Sequence, residues 1–173
     1  MTYRSKYDFT GESQKMGESA EDLFEFLATK KTLKVEKASK KQQKSHIDFI
    51  LTDLKNKKYF VDVKACKKTS RISKKTNENL VWIEFKNVAG YKGWLYGDAN
   101  FIAFERQSDF VIVSRLALVN LCERIVNRSN KVSFVEDALY SIYNRKGRKD
   151  EISLIKMDDI LKNTKFSIWQ KSK

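Results

Sequence analysis

The sequence has no proline, two cysteines and a single histidine in 173 residues, and no apolar run long enough to span a bilayer. Cys66 and Cys122 are too few and too far apart for a disulfide framework. His46 alone argues against a zinc site or a histidine-based catalytic triad. The first residues lack the apolar core of a signal peptide, so no membrane association is expected. The expected setting is cytoplasmic, in a bacterium or, for a phage-encoded chain, in its host. At 20.3 kDa the chain suits one domain over residues 1–173. No internal repeat, low-complexity tract or linker interrupts it.

What the chain has in excess is positive charge. Lys and Arg number 35 against 22 Asp and Glu, a net charge of +13, which implies a polyanionic partner unless the basic surface is merely solubilising. The excess is local: residues 30–75 hold 16 basic side chains and four acidic ones, Glu36, Asp48, Asp53 and Asp62. Lys40, Lys41 and Lys44 before the central stretch, and Lys67, Lys68, Arg71, Lys74 and Lys75 after it, are the expected phosphate contacts, the second group on a loop whose hydroxyls also suit phosphate.

That central stretch, His46 to Cys66, reads as a β-hairpin, two β-branched and aromatic runs around Lys55-Asn56-Lys57. Alternation puts Phe60, Asp62 and Lys64 on one face. For a turn centred near Lys55, opposite residue numbers sum to about 110, which sets Asp48 across from Asp62. Two carboxylates and an ammonium then converge. Such carboxylates persist together where a cation sits between them, and oxygen ligands favour Mg²⁺ or Mn²⁺. The same residues also fit the polar face of an exposed hairpin, with Lys64 as an ion-pair partner.

Upstream, Met16, Ala20, Leu23, Phe24 and Leu27 recur at helical spacing, and on the helical wheel Glu21 lies nearer the buried edge than Glu18. Acids in the first turns of a helix also favour its dipole.

Asp48 on one strand and Asp62-Val63-Lys64 on the next resemble the PD-(D/E)xK nuclease superfamily, although Ile47 stands where the naming proline would be. Gly17-Glu18-Ser19-Ala20-Glu21 resembles the Gly-x-x-x-Glu of archaeal-type Holliday-junction resolvases within it. The resemblance spans residues 17–86. It implies a restriction-endonuclease-like core with Asp48, Asp62 and Glu21 as metal ligands, Glu18 as the alternate to Glu21, and Lys64 positioning the attacking water.

Elsewhere a short strand is expected at Leu33–Glu36 and a third strand at Leu80–Lys86. On that strand Glu84 either extends the acidic site or pairs with Lys86, and pairing is the reading adopted. Gly90–Gly97 packs three glycines and three aromatics into eight residues, which fits hairpin-end packing or stacking on unpaired bases. Further strands are expected at Phe101–Phe104, Asp109–Val113 and Ile152–Ile155. Ser114 should cap a helix that buries Leu116, Val119, Leu121, Ile125 and Val126. Ser133-Phe134-Val135-Glu136 has capping-box form and predicts a helix through Tyr143. The basic turn Asn144–Lys149 is a possible second phosphate contact, Asp158–Lys162 a last helical turn, and the tail through Trp169 is left unassigned.

The expectation is therefore a single α/β domain, a mixed central sheet flanked by helices, with residues 87–173 completing the sheet and helices. Its expected activity is Mg²⁺- or Mn²⁺-dependent endonucleolytic cleavage of DNA by a homodimer, structure-selective and junction-resolving, with no small-molecule cofactor. A sequence-specific restriction or homing endonuclease is the alternative within the class, and a non-catalytic basic nucleic-acid-binding module the alternative outside it.

Overall fold

The computed structural model describes residues 11–31, 33–69 and 73–171. In chain order the elements are α1 (Glu12–Lys30), β1 (Lys34–Lys37), α2 (Lys40–Lys44), β2 (Phe49–Thr52), β3 (Lys58–Lys64), β4 (Leu80–Lys86), β5 (Phe101–Glu105), β6 (Asp109–Ser114), α3 (Arg115–Ile125), β7 (Asn127–Val132), β8 (Ser141–Tyr143), β9 (Glu151–Lys156), α4 (Met157–Asn163) and β10 (Phe166–Gln170). The class is mixed α/β, as expected. The single sheet is replaced by two: a six-stranded sheet in the order β1-β2-β3-β5-β6-β10 and a four-stranded sheet in the order β4-β9-β8-β7. In the larger sheet every pairing is antiparallel except β3 with β5. A parallel pair needs a crossover, and here the chain leaves the larger sheet after β3, forms β4 of the smaller one, and returns as β5.

Helix α1 begins a turn earlier than the apolar stripe alone predicts, with Gly11 in the left-handed region (φ 69°) at its N-cap. Ala20, Phe24, Leu27 and Ala28 form its buried stripe. It covers one face of the larger sheet through Phe49, Leu51, Val61, Val63, Ala103 and Phe110. Phe24 is the hub of this layer, edge-on to Phe110 at 5.6 Å and stacked on Trp169 at 5.2 Å. The opposite face, through Ile102, Phe104, Val111 and Val113, shares a second core with the smaller sheet, α3 and α4. No helix among the described residues is long and apolar enough to cross a membrane.

Ser114 caps α3 by accepting from the Ala117 N–H at 3.4 Å. Leu118, Leu121 and Cys122 supply its buried face, whereas Leu116, expected inside, is exposed. The helix expected from Ser133 to Tyr143 does not form. A 3₁₀ turn at Val135–Asp137 and β8 occupy that region, following directly on β7. Tyr140 sits at φ 57°, which no α-helix accommodates, and its N–H bonds to the Leu154 carbonyl. Ala138 and Ile142, four apart, are both buried, and helical spacing mimicked what a turn and a strand provide. The unassigned tail becomes β10, paired with β6.

Candidate active site

The hairpin register is the expected one. Phe49 pairs with Val61, Ile50 with Phe60, Leu51 with Tyr59 and Thr52 with Lys58. The turn fixes it locally: Asp53 Oδ1 accepts from the Lys55 and Lys57 N–H groups at 2.8 and 2.9 Å, Tyr59 donates its hydroxyl to Oδ2 at 3.0 Å, and Asn56 takes φ 60°. A slip of one residue would turn every side chain to the wrong face. At the other end, the Asp48 N–H donates to the Val61 carbonyl at 2.8 Å, and Asp48 Oδ2 accepts from the Val63 N–H at 2.7 Å. This holds the Asp48 carboxyl beside that of Asp62.

Asp62 is buried. Its Oδ1 binds Lys64 Nζ at 2.7 Å, while its Oδ2 has no hydrogen-bond donor. Burial, and then the neighbouring Asp62, push Asp48 up to about 7. Burial raises Asp62 as well, against the pull of Lys64. Burial works against the charge on Lys64, but Asp62 and Asp48 outweigh it and hold the ammonium above the ordinary lysine value. The same ammonium lies over the Trp94 ring, 5.1 Å from its centroid.

Glu21 reaches this cluster from α1. Burial first, and then Asp48, raise it to about 7, while Lys37 and Lys64 pull the other way. Glu18, the alternate, accepts a hydrogen bond from Gln14 at 2.9 Å. Glu84 arrives from the smaller sheet and corrects the sequence reading: Lys86 binds Glu151 at 2.9 Å, whereas Glu84 accepts from the Trp94 N–H at 3.3 Å and faces the charges of Lys64, Lys67 and Arg145. Burial raises it too. Its approach needs a glycine at 93, where a Cβ would stand 2.2 Å from the Glu84 carbonyl oxygen. His46, set aside in the sequence, sits beside the acids at φ 60°. Burial, then Lys64, lower its proton affinity. Gly97 makes room for it, since a Cβ there would lie 2.7 Å from that of His46.

An open cleft of about 520 Å³ adjoins His46, lined also by Lys44, Tyr91, Lys92, Tyr96 and Asp98. A second recess of about 510 Å³ surrounds the hairpin tip at Leu54 and Tyr59, at the end remote from the carboxylates. The aromatics of the Gly90–Gly97 loop divide: Trp94 packs inside, while Tyr91 is exposed. Among the expected phosphate contacts, Lys40, Lys41, Lys44, Lys74 and Lys75 are exposed, and Lys68 binds Glu12 at 2.8 Å. Lys67, though much of it is exposed, is pushed below the ordinary lysine value by the groups crowding it and by Lys64. Arg71 lies outside the described residues. Arg145, from the basic turn, binds the buried Asp150.

Among the described residues no three His, Cys, Asp or Glu side chains stand close enough to enclose a metal ion. The donor set fits a different arrangement. Mg²⁺ is commonly held by one or two carboxylates and completed by water and substrate phosphate. Asp48 and Asp62, with the undonated Asp62 Oδ2 between layers, offer that pair. Electrostatically, burial outweighs the cations near the cluster, Lys37 and Lys64 for Glu21 and Lys64, Lys67 and Arg145 for Glu84, so all four carboxyls are raised, Glu21 and Asp48 to about 7.

No known protein family matches the chain, and no curated protein and no solved structure is similar to it at a significant level.

Proposed function

We propose that the protein is a divalent-metal-dependent endodeoxyribonuclease of the PD-(D/E)xK type acting in the cytoplasm. The observation that carries this reading is the cluster of the buried Asp62 with the half-buried Asp48 and Glu21 and with Lys64 among them, of which Asp48, Asp62 and Lys64 lie inside the most basic segment of the chain. A module that only binds DNA gains nothing from burying carboxylates where phosphate must approach, since each repels it.

Asp48 and Asp62 would hold Mg²⁺ or Mn²⁺, which supplies Lewis-acid activation and neutralises charge on the phosphate. Lys64, pinned by Asp62 and seated over Trp94, presents a fixed ammonium to the attacking water and to the charge that develops on the phosphoryl oxygens. Glu21, with a proton affinity near neutrality, is suited to accept a proton from water at its carboxyl. The exposed lysines of α2 and of residues 67–75 hold the substrate backbone.

The preferred substrate is a branched duplex, a four-way junction first, cut by two copies of the chain. In Mg²⁺, Asp62→Ala and Lys64→Ala should each reduce cleavage by about 10³-fold or more while DNA affinity in Ca²⁺ is kept. Mutants as active as the wild type would sink the nuclease reading. A panel of four-way junction, flap, single strand and random duplex tests the preference. Paired nicks placed symmetrically about the crossover support it, and cutting of linear duplex at one defined sequence replaces it with the restriction or homing type.

A further inference from the structure

The two sheets have four edges, and they differ in charge. Strand β1 carries Lys34, Glu36 and Lys37, β7 carries Arg128 and Lys131, and β4 carries Glu84 and Lys86, with its rim continued by a bridge from Lys86 to Lys92. Charged side chains and covered rims are the usual protection of a sheet edge against pairing with another chain. Strand β10, Phe166-Ser167-Ile168-Trp169-Gln170, has none in a chain where a third of the residues are charged. Its inner side pairs with β6, and among the described residues no strand pairs with its outer side, where alternate N–H and C=O groups point away from the sheet. Trp169 turns inward onto Phe24, but Phe166 and Ile168, on the other face, remain 43% and 40% exposed beside the buried Val113 and Val111. The apolar layer thus runs to the rim and stops unfinished.

We infer that β10 is the dimer interface of this protein, pairing antiparallel with β10 of a second copy about a twofold axis at Ile168. The occupant follows from charge and symmetry. The +13 on each copy opposes close approach, and β10 is the edge strand that brings no charged residue of its own to the contact. An antiparallel edge is self-complementary, as a twofold contact requires. Centred on Ile168, the pairing sets Phe166 opposite Gln170 and Ser167 opposite Trp169. The flanking Lys165 meets Lys171, whose ammonium is already bound by Glu105 at 2.8 Å.

The geometry has a consequence for the nuclease reading, on which this step alone rests. Asp62 pairs with Ile102, Ile102 with Val113 and Val113 with Phe166, so Asp62 and Phe166 belong to one row on one face of the sheet. The twofold axis keeps that face common to both copies. Seven strand spacings then separate the two β3 strands, about 34 Å measured across the sheet, close to one turn of duplex. Two acidic clusters would thus stand about one duplex turn apart within one dimer.

Sedimentation equilibrium tests the interface directly. The wild-type chain should sediment at twice 20.3 kDa, and Ile168→Lys, which opposes two like charges at the axis, should sediment at 20.3 kDa with unchanged circular dichroism and a melting temperature that no longer depends on protein concentration. In a Cys66→Ser chain, Ile168→Cys should cross-link to a dimer under mild oxidation, because directly opposed positions suit a disulfide, whereas Ser167→Cys should not. A monomeric wild type, a dimer that survives Ile168→Lys, or equal cross-linking at 167 and 168 overturns the inference. Mg²⁺-dependent cleavage by the wild type is read separately. A dimer that cuts nothing fails the nuclease reading alone, and a monomer that cuts fails the interface alone.

Discussion

The hairpin of β2 and β3 carries an aspartate at each end, and the two have opposite fates. Asp53, at the tip, has both oxygens served by donors, two backbone N–H groups and the Tyr59 hydroxyl, which hold its carboxyl below the ordinary value. Asp48, at the base, receives one N–H, lies half-buried beside the buried Asp62, and is raised to about 7. The residue type and the hairpin are the same. What differs is burial first, and then the number of donors against the number of neighbouring charges, so a carboxylate served by donors is held in its charged form, and one drawn from water beside another carboxylate holds its proton more tightly.

The sharpest way to break this comparison is to neutralise each aspartate in turn. Asp48→Asn should cost about 10³-fold in Mg²⁺-dependent cleavage, whereas Asp53→Asn should cut at the wild-type rate and lower only the melting temperature, as the turn loses its anchor. Loss of cleavage in both would show that the hairpin acts as one unit, and the contrast would fail. Gly93→Ala comes next, because its Cβ collides with the backbone that presents Glu84. It should destabilise the fold by about 3 kcal/mol, read by urea unfolding, and reduce cleavage by the folded fraction besides.

A smaller effect separates the two aspartates by pH. Folding raises Asp48 and Glu21 above their ordinary values. Their contribution to stability is therefore full below about pH 4 and is lost as the pH rises through about 7. Asp53, held low, contributes with the opposite sign: its share is present above its ordinary value and is lost as the pH falls below it. Melting curves of metal-free protein between pH 5 and pH 8 should decline, and Asp48→Asn should flatten that decline while Asp53→Asn leaves it unchanged. Adding Mg²⁺ at pH 7, where Asp48 and Glu21 are about half protonated, should stabilise the fold with release of protons, measurable by calorimetry in two buffers of different ionisation enthalpy. A decline unaltered by Asp48→Asn would place its source elsewhere.

The hairpin register was legible because a turn of polar residues and strict alternation leave one pairing that buries Phe49, Leu51, Val61 and Val63 together. Glu21 was legible from the wheel, since a regular helix keeps its phase. Glu84 was not: local alternation shows only that it shares a face with Lys86, whereas its donor is the Trp94 N–H and the charges facing it are Lys64 of β3, Lys67 and Arg145 of the basic turn, all distant in sequence. Strand β7, Asn-Arg-Ser-Asn-Lys-Val, carries no apolar period because five of its six residues are exposed, and only pairing with β8 makes it a strand. His46 left no signal either, since its place depends on a glycine 51 positions later that lets two backbones touch.

The excursion of the chain between β3 and β5 sets an order in time. The hairpin joins residues close in sequence and can close within microseconds, bringing Asp48 and Asp62 together while they are still wet. The parallel β3–β5 pair must wait for residues 65–100 to fold back, and β4 finds its partner β9 only after residue 156 has emerged. Such distant pairings are slow to form. On the ribosome, the acids are neighbours long before they are dehydrated, and their raised hold on a proton is a late product of folding.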